Sequence, residues 1–292
     1  MNILTFDIEE WAIAKANGIG NPALYAEYES FLDRILDKLD ERGIKATFFC
    51  LGMMALDFPE IVKKIDSRGH EIGCHSNKHL WVNKMTEDEF RKDTHDAISS
   101  LEDCIGKKVL SYRAPAFSIG ESNLWAFDVL AENGIERDAS VFPAVRDFGG
   151  FPSFGYEEPC MIKHNGVSIK EFPITMTSVF GKRLAYSGGG YFRFFPLRFV
   201  KSRLFNSIYS MCYFHIGDLI PESKSVMTRS EYEEYFKEKG SIINRYKRFF
   251  KSNVGKRTAF NKLSQLIEEM SFMCLDNADE EFEWTKAPIV AF

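Results

Sequence analysis

Three short apolar runs near the N-terminus, residues 2–6, 45–50 and 70–74, are separated by two helix-length segments that close at Gly43 and Gly69. The first segment carries Leu24, Tyr28, Phe31, Ile35 and Leu39 at helical spacing. The second starts at Phe58-Pro59 with Ile61, Val62 and Ile65 inward. Such alternation is the rhythm of parallel βα units and predicts an α/β fold. Between these elements, residues 11–20 read as a loop or broken helix and Gly52 as the start of a turn. The pattern then continues. Thr86-Glu87-Asp88-Glu89 resembles a capping box that opens a long helix, and residues 108–112 form a fourth strand. A helix over 121–132 is closed by Asn133-Gly134, and a short strand follows at 135–139.

After Ser140 the rhythm changes. Residues 141–155 mix glycine, proline and aromatics and read as an irregular segment, while 160–163 and 167–172 form a hairpin around His164-Asn165-Gly166. Residues 186–192 read as a glycine-rich loop that is either a plain surface turn or a place of close backbone approach to a ligand, with its flanking rings, Tyr186 and Tyr191, as candidates to line a groove. A basic-aromatic helix begins at Phe195-Pro196, and Met211-Cys212-Tyr213-Phe214-His215 is an apolar strand closed by a histidine. Beyond it the chain is mostly helical. Residues 221–228, opening with Pro221, mark the expected boundary between a catalytic unit (1–220) and a helical extension (221–292) packed on the same domain.

A chain of 292 residues with a formal charge of -5 carries no nucleic-acid footprint. The N-terminus lacks a basic and apolar leader pattern, and no run is long enough to span a bilayer. The expected place is therefore the cytoplasm or the inner membrane surface, with residues 197–201 as a peripheral membrane contact. The six cysteines form no CxxC pair, and Cys50, Cys74 and Cys212, inside apolar segments, read as small buried hydrophobes.

The chemistry-bearing residues stand at strand ends: Asp7 with Glu9, His75 with His79, Arg113, and His215. Strand C-termini in α/β barrels point into the mouth where sites are assembled. Two imidazoles four residues apart lie on one face if a helical turn starts at His75, and with a carboxylate they suit a divalent metal. Zinc is the default, and cobalt, nickel or iron fit the same ligands. Such a metal could acidify a water and polarise an acyl oxygen, while a second carboxylate takes a proton and a histidine on the opposite side protonates a departing amine.

Thr5-Phe6-Asp7, Ala46-Thr47-Phe48-Phe49, His75-Ser76-Asn77-Lys78-His79, Tyr112-Arg113-Ala114-Pro115 and Tyr213-Phe214-His215 together resemble the motifs of the polysaccharide deacetylase (NodB-homology, carbohydrate esterase 4) superfamily. Ser140-Val141-Phe142-Pro143, Glu171-Phe172-Pro173 and Gly188-Gly189-Gly190-Tyr191-Phe192-Arg193 are similar to stretches of its exopolysaccharide-biosynthesis branch. The resemblance implies a distorted or incomplete (β/α) barrel and a metal-dependent N-deacetylase acting on an N-acetylated sugar or glycan. It implies Asp7 as catalytic base, His215 as general acid, Arg113 as the partner that orients Asp7, and His75 and His79 as metal ligands. Where the family commonly has a second aspartate, this chain reads Ile8-Glu9-Glu10. Glu9 is the expected third ligand and Glu10 the competitor. Ile216-Gly217-Asp218 after His215 also departs from the family pattern. The alternatives are a hydrolase of another amide or O-acetyl ester on the same fold, and a non-catalytic carbohydrate-binding protein. Oligomeric state is left open.

Overall fold

The computed structural model describes residues 1–146, 148–221, 225–236 and 238–292. The first half follows the alternating pattern. β1 (Asn2–Ile8), α1 (Glu10–Ala16), α2 (Pro22–Glu41), β2 (Thr47–Cys50), α3 (Gly52–Asp57), α4 (Pro59–Ser67), β3 (Glu71–Cys74), α5 (Glu87–Ile105), β4 (Ser111–Tyr112), α6 (Trp125–Glu132) and β5 (Arg137–Asp138) succeed one another. The helix ends obey local chemistry. Asn21 caps α2 by accepting from the Leu24 amide at 3.0 Å, and Thr86 with Glu89 forms a reciprocal capping box on α5.

In the second half, β6 (Cys160–His164) and β7 (Val167–Glu171) make the expected hairpin, with Asn165 and Gly166 both at positive φ as a tight hairpin turn requires. A separate hairpin, β8 (Met176–Val179) with β9 (Lys182–Ala185), precedes α7 (Gly189–Phe194), α8 (Leu197–Asn206), β10 (Ser210–His215) and α9 (Ile216–Leu219). Then come α10 (Arg229–Phe236), α11 (Ile242–Asn253), α12 (Lys256–Glu269), α13 (Leu275–Glu281) and β11 (Ile289–Ala291). Of the boundary expected at 221–228, residues 222–224 lie outside the described residues.

Nine strands of the described residues form one sheet in the order β10-β1-β2-β3-β4-β5-β7-β6-β11, parallel throughout except for the β6–β7 hairpin. Among the described residues β10 and β11 do not pair with each other, so the sheet is an incomplete barrel. Strand periodicity assigns its two faces. Leu4, Phe6, Phe48, Cys50, Cys212 and Phe214 pack in the large core under the helices, whereas Ile3, Phe49, Met211 and Tyr213 pack in a second, inner core with Phe172 and Leu275. Thr5 and Asp7 share the parity of Ile3, and His215 that of Met211 and Tyr213. The same alternation therefore sends the polar residues inward.

For residues 11–20 the broken-helix alternative holds: α1 runs to Ala16 with Trp11, Ala12 and Ala14 as its buried stripe, and a turn follows. Three local expectations are corrected. Gly52 opens a helix, α3, rather than a turn. The expected strand over 108–112 keeps only Ser111 and Tyr112, and the glycine-rich 186–192 is no open loop. Gly188 is instead the N-cap of α7, where a Cβ would stand 2.2 Å from the Tyr213 ring. The tail also returns a strand, β11, to the sheet beside β6.

His70 starts β3 and is buried, with Nδ1 accepting from the Ala46 amide at 3.3 Å. Burial first, then nearby Lys45, pushes its pKa down to about 4. Because the folded value lies below the unfolded one, the stability held by neutral His70 is complete above about pH 6.5 and is lost as the pH falls to about 4, worth roughly 3 kcal/mol. Urea unfolding at pH 7 and pH 4.5 should show a smaller loss in His70→Leu than in the parent; equal losses would contradict this account.

Candidate metal centre and acid–base pair

The strands β10, β1, β2, β3 and β4 are contiguous, and their C-terminal ends face one mouth. Register places Asp7 directly beside His215, and Cys74 beside Tyr112, so that His75 and Arg113 leave the sheet together. Glu9 follows β1 as the N-cap of α1, but its side chain makes no cap hydrogen bond. Its Oε2 lies 2.8 Å from His79 Nε2 and 3.4 Å from His75 Nε2.

The His75-to-His79 stretch is not a helical turn, which corrects the expected spacing argument. It is a tight loop in which Ser76 and His79 have φ of 70° and 59°, with the His79 amide donating to Ser76 Oγ at 3.0 Å. The Asn77 amide donates to buried Asp93 at 2.8 Å and pins the loop to α5. Left-handed backbone at non-glycine residues is strained and persists where the surroundings hold it. Here it turns both rings onto one carboxylate.

His75 Nδ1 lies 2.7 Å from the Arg113 carbonyl oxygen, which can only accept, so the proton sits on Nδ1 and the Nε2 lone pair faces Glu9. Glu9 Oε2 is buried and accepts no well-aligned hydrogen bond. A buried carboxylate oxygen between two imidazole nitrogens, with the three ligand atoms within 4.8 Å of one another, fits a divalent cation. Glu10 is turned away. Its Oε1 accepts from the Gly217 amide at 2.5 Å, and burial, then the charge of Glu9, raises its pKa to about 7.

Asp7 is buried against the wholly buried Arg113 guanidinium, with Nη1 to Oδ1 at 2.9 Å. Arg113 also donates to Thr5 Oγ1 at 2.7 Å and to the Ala139 carbonyl at 3.2 Å, and it lies over the Phe49 ring at 4.3 Å. That ring needs Gly73, where a Cβ would stand 2.5 Å away. His215 Nε2 is 3.6 Å from both Asp7 Oδ2 and Glu9 Oε1, so it is the strand neighbour of Asp7 and not a group across the site from it.

Residues 3–136 match the family model described as polysaccharide deacetylase, and residues 139–280 match one described as a domain of unknown function, DUF3473. The first of these matches takes in just under half of the chain. Over 120 residues the chain is 35% identical to a peptidoglycan-N-acetylglucosamine deacetylase of Bacillus cereus, covering 37% of this chain and 44% of that protein. Over 131 residues it is 27% identical to a chitooligosaccharide deacetylase of Sinorhizobium fredii, covering 43% and 58%. The chain thus spans about half the length of these curated relatives. A crystal structure from Mycobacterium smegmatis, named for polysaccharide deacetylase, superposes with a TM-score of 0.66 at 17% identity, covering 100% of this chain and 92% of that one. That likeness bears on the fold alone.

Two features of the site escaped the motif reading. The first is Asp218, which follows His215 by three residues. Its Oδ2 lies 3.2 Å from His215 Nδ1, and Arg193 lies 3.3 Å from its other oxygen. Burial opposes charging His215, but Glu9, Asp218 and Asp7 outweigh it and raise the pKa to about 10. The second is the buried pair Asp138 and Glu171, registered opposite each other on β5 and β7. Burial raises the pKa of both, and the charge of Asp138 pushes Glu171 further up. Ser140 joins them to the site by donating to Asp138 at 2.6 Å while accepting from the Ala114 amide at 2.8 Å. Only the turn of the chain after β5 could have hinted at this.

Tyr186 does not line a groove. Its ring is in the core and its hydroxyl lies 3.1 Å from Ser210 Oγ, because β9 delivers it behind β10. Tyr191 is half-buried on α7 against both cores.

Replacing Arg113 by Met leaves the Asp7 carboxylate buried without its partner and should cost about 3–5 kcal/mol in urea unfolding. Adding Asp7→Asn to that variant should restore part of the loss, and strictly additive losses would mean that the pair is not coupled.

Proposed function

We propose that the protein is a divalent-metal-dependent N-deacetylase that removes the acetyl group from an N-acetylated amino sugar during glycan or exopolysaccharide biosynthesis. The observation that carries this reading is the convergence, at one mouth, of the Glu9–His75–His79 cluster with Asp7 on Arg113 and His215 on Asp218. The match of residues 3–136 to the polysaccharide deacetylase model and the deacetylase names of the relatives support it.

A divalent cation held by Glu9, His75 and His79, zinc by default, supplies a Lewis acid that polarises the acyl oxygen and acidifies water. Asp7, kept in place by Arg113 and Thr5, takes the proton from the attacking water. His215 gives a proton to the nitrogen as the carbon–nitrogen bond breaks, since an amine leaves poorly as an anion. Asp218 holds the imidazole at Nδ1 so that Nε2 is the atom presented to substrate. Arg193 in turn fixes Asp218. Tyr191 is retained as a candidate for stacking on a sugar face. The place of action is the cytoplasm or its membrane surface; among the described residues no helix is long and apolar enough to cross a membrane.

Elemental analysis of the reconstituted protein should find about one equivalent of metal and almost none in His75→Ala with His79→Ala, as three-ligand sites require. With N-acetylglucosamine oligomers, Asp7→Asn should keep the metal while acetate release falls by roughly 10²–10⁴. A parent that takes up no metal, or an Asp7→Asn variant with unchanged turnover, would overturn the mechanism. His215→Gln should slow this amide far more than an aryl acetate, whose leaving group needs no proton. Equal losses on the two substrates would remove His215 as the acid.

A further inference from the structure

An ordinary surface helix turns its apolar stripe to the core and its charges to water. α11 (Ile242–Asn253) does the reverse. It has no buried residue, and Ile242, Ile243, Tyr246 and Phe250 are 70%, 67%, 57% and 72% exposed. At about 100° per residue these four side chains occupy one arc about 100° wide, with the exposed Lys247 next to one edge of it. The opposite side holds the helix to the body through cations. Arg245 donates to the Met227 carbonyl at 2.6 Å, and the Arg248 guanidinium lies 4.2 Å from the Phe236 ring and 5.2 Å from that of Phe148.

The charge is as one-sided as the apolar arc. Residues 239–257 contain seven Lys and Arg and no Asp or Glu, in a chain whose formal charge is -5. An apolar arc edged by basic residues on a helix is the pattern that lies in the plane of a bilayer interface, apolar side chains at the acyl boundary and cations among anionic headgroups. We propose that α11 is an attachment surface for an anionic lipid bilayer. An acidic polymer would engage the lysines and leave the four apolar side chains in water. A lipid interface takes both.

The attachment is distinct from the region at 197–201 and does not depend on the reading of the catalytic site. It does bear on that site's position. Arg193 on α7 donates to the carbonyls of Ser252 and Lys251 at the end of α11 and also reaches Asp218, the residue that holds His215. The adjacent Phe194 is 66% exposed. The mouth is therefore tied to the helix that would lie on the membrane.

The test is co-sedimentation of the full chain with vesicles of phosphatidylglycerol and phosphatidylcholine, against vesicles of phosphatidylcholine alone. Binding is expected to the anionic vesicles, to weaken as salt rises, and to fall by several-fold in Lys247→Glu. Ile243→Ser with Phe250→Ser should lose roughly tenfold or more, since burial of both side chains contributes to the attachment. These side chains are exposed, so the melting temperature should match the parent; if it drops, Ile242→Asn provides the second reading of the same arc. No sedimentation of the parent with anionic vesicles overturns the proposal. So does parent-like binding by the apolar variants, which would mean adsorption by charge alone, or a parent dimer that these substitutions dissolve.

Discussion

Arg113 is the interaction on which the site's geometry rests. The side chain is entirely buried, yet it reaches the ends of three other strands: Asp7 and Thr5 on β1, the carbonyl after β5, and the Met211 sulfur on β10 at 3.4 Å. Its own carbonyl accepts from His75 and so decides which imidazole nitrogen faces the carboxylate of Glu9. One residue thus fixes both the acid–base side and the ligand side. A buried guanidinium is expensive to desolvate, and its fork of donors has to be met nearly in full to be tolerated. That requirement explains why Thr5, small and polar in the middle of an otherwise apolar strand, passes its own hydroxyl proton to the Cys212 carbonyl and leaves its lone pair for Arg113.

Behind this pair stands a layer of buried polar groups. Asp138 and Glu171 would repel if both ionised, and burial raises the pKa of both, which reduces the negative charge behind the Arg113 loop. Glu171 accepts from the Val141 amide at 3.1 Å and Asp138 from Ser140, so the chain that follows β5 is stapled to the chain that follows β4. The second half of the molecule, matched by a separate family model, therefore contributes the support of a site whose other groups mostly come from the first half. His215 and Asp218 come from it as well.

The parallel βα order was legible because it depends on local signals: glycines that stop helices, a capping box on α5, and an Asn-Gly hairpin turn. The placement of Asp7, His75, Arg113 and His215 was legible for a related reason, since a polar residue closing an apolar strand has few other places to go. What stayed hidden depends on contacts distant in sequence. Tyr186 looked like a groove residue because its neighbours are glycines, but its register behind β10 puts it in the core. The left-handed loop between His75 and His79 has no sequence mark, because Ser76 adopts positive φ only under the pull of α3 and α5. β11 is three residues long and gains meaning only from the edge of β6 that it covers. Asp218 stood in plain view as a departure from the family pattern, and only the 3.2 Å contact gives it a purpose.

The contrast between Glu9 and Glu10 shows how backbone direction separates two residues that composition leaves alike. Both follow β1, and both carboxylates could be drawn toward the histidines. Ile8 is the last strand residue and Glu10 the first helical one, so Glu9 sits at the bend with its side chain free of capping duty, whereas Glu10 points along the new helix toward the start of α9. There it meets the Gly217 amide, and its raised pKa makes it the poorer anion of the two. Glu9 is held well below the usual carboxylate range, because the surrounding imidazoles outweigh its burial. A proton on those imidazoles and a divalent cation between them are alternative ways to offset the same buried negative charge. The proposal of Glu9 as ligand thus rests on electrostatics as much as on distance: of the two glutamates, the one that stays charged in the dry mouth is the one facing the two imidazoles.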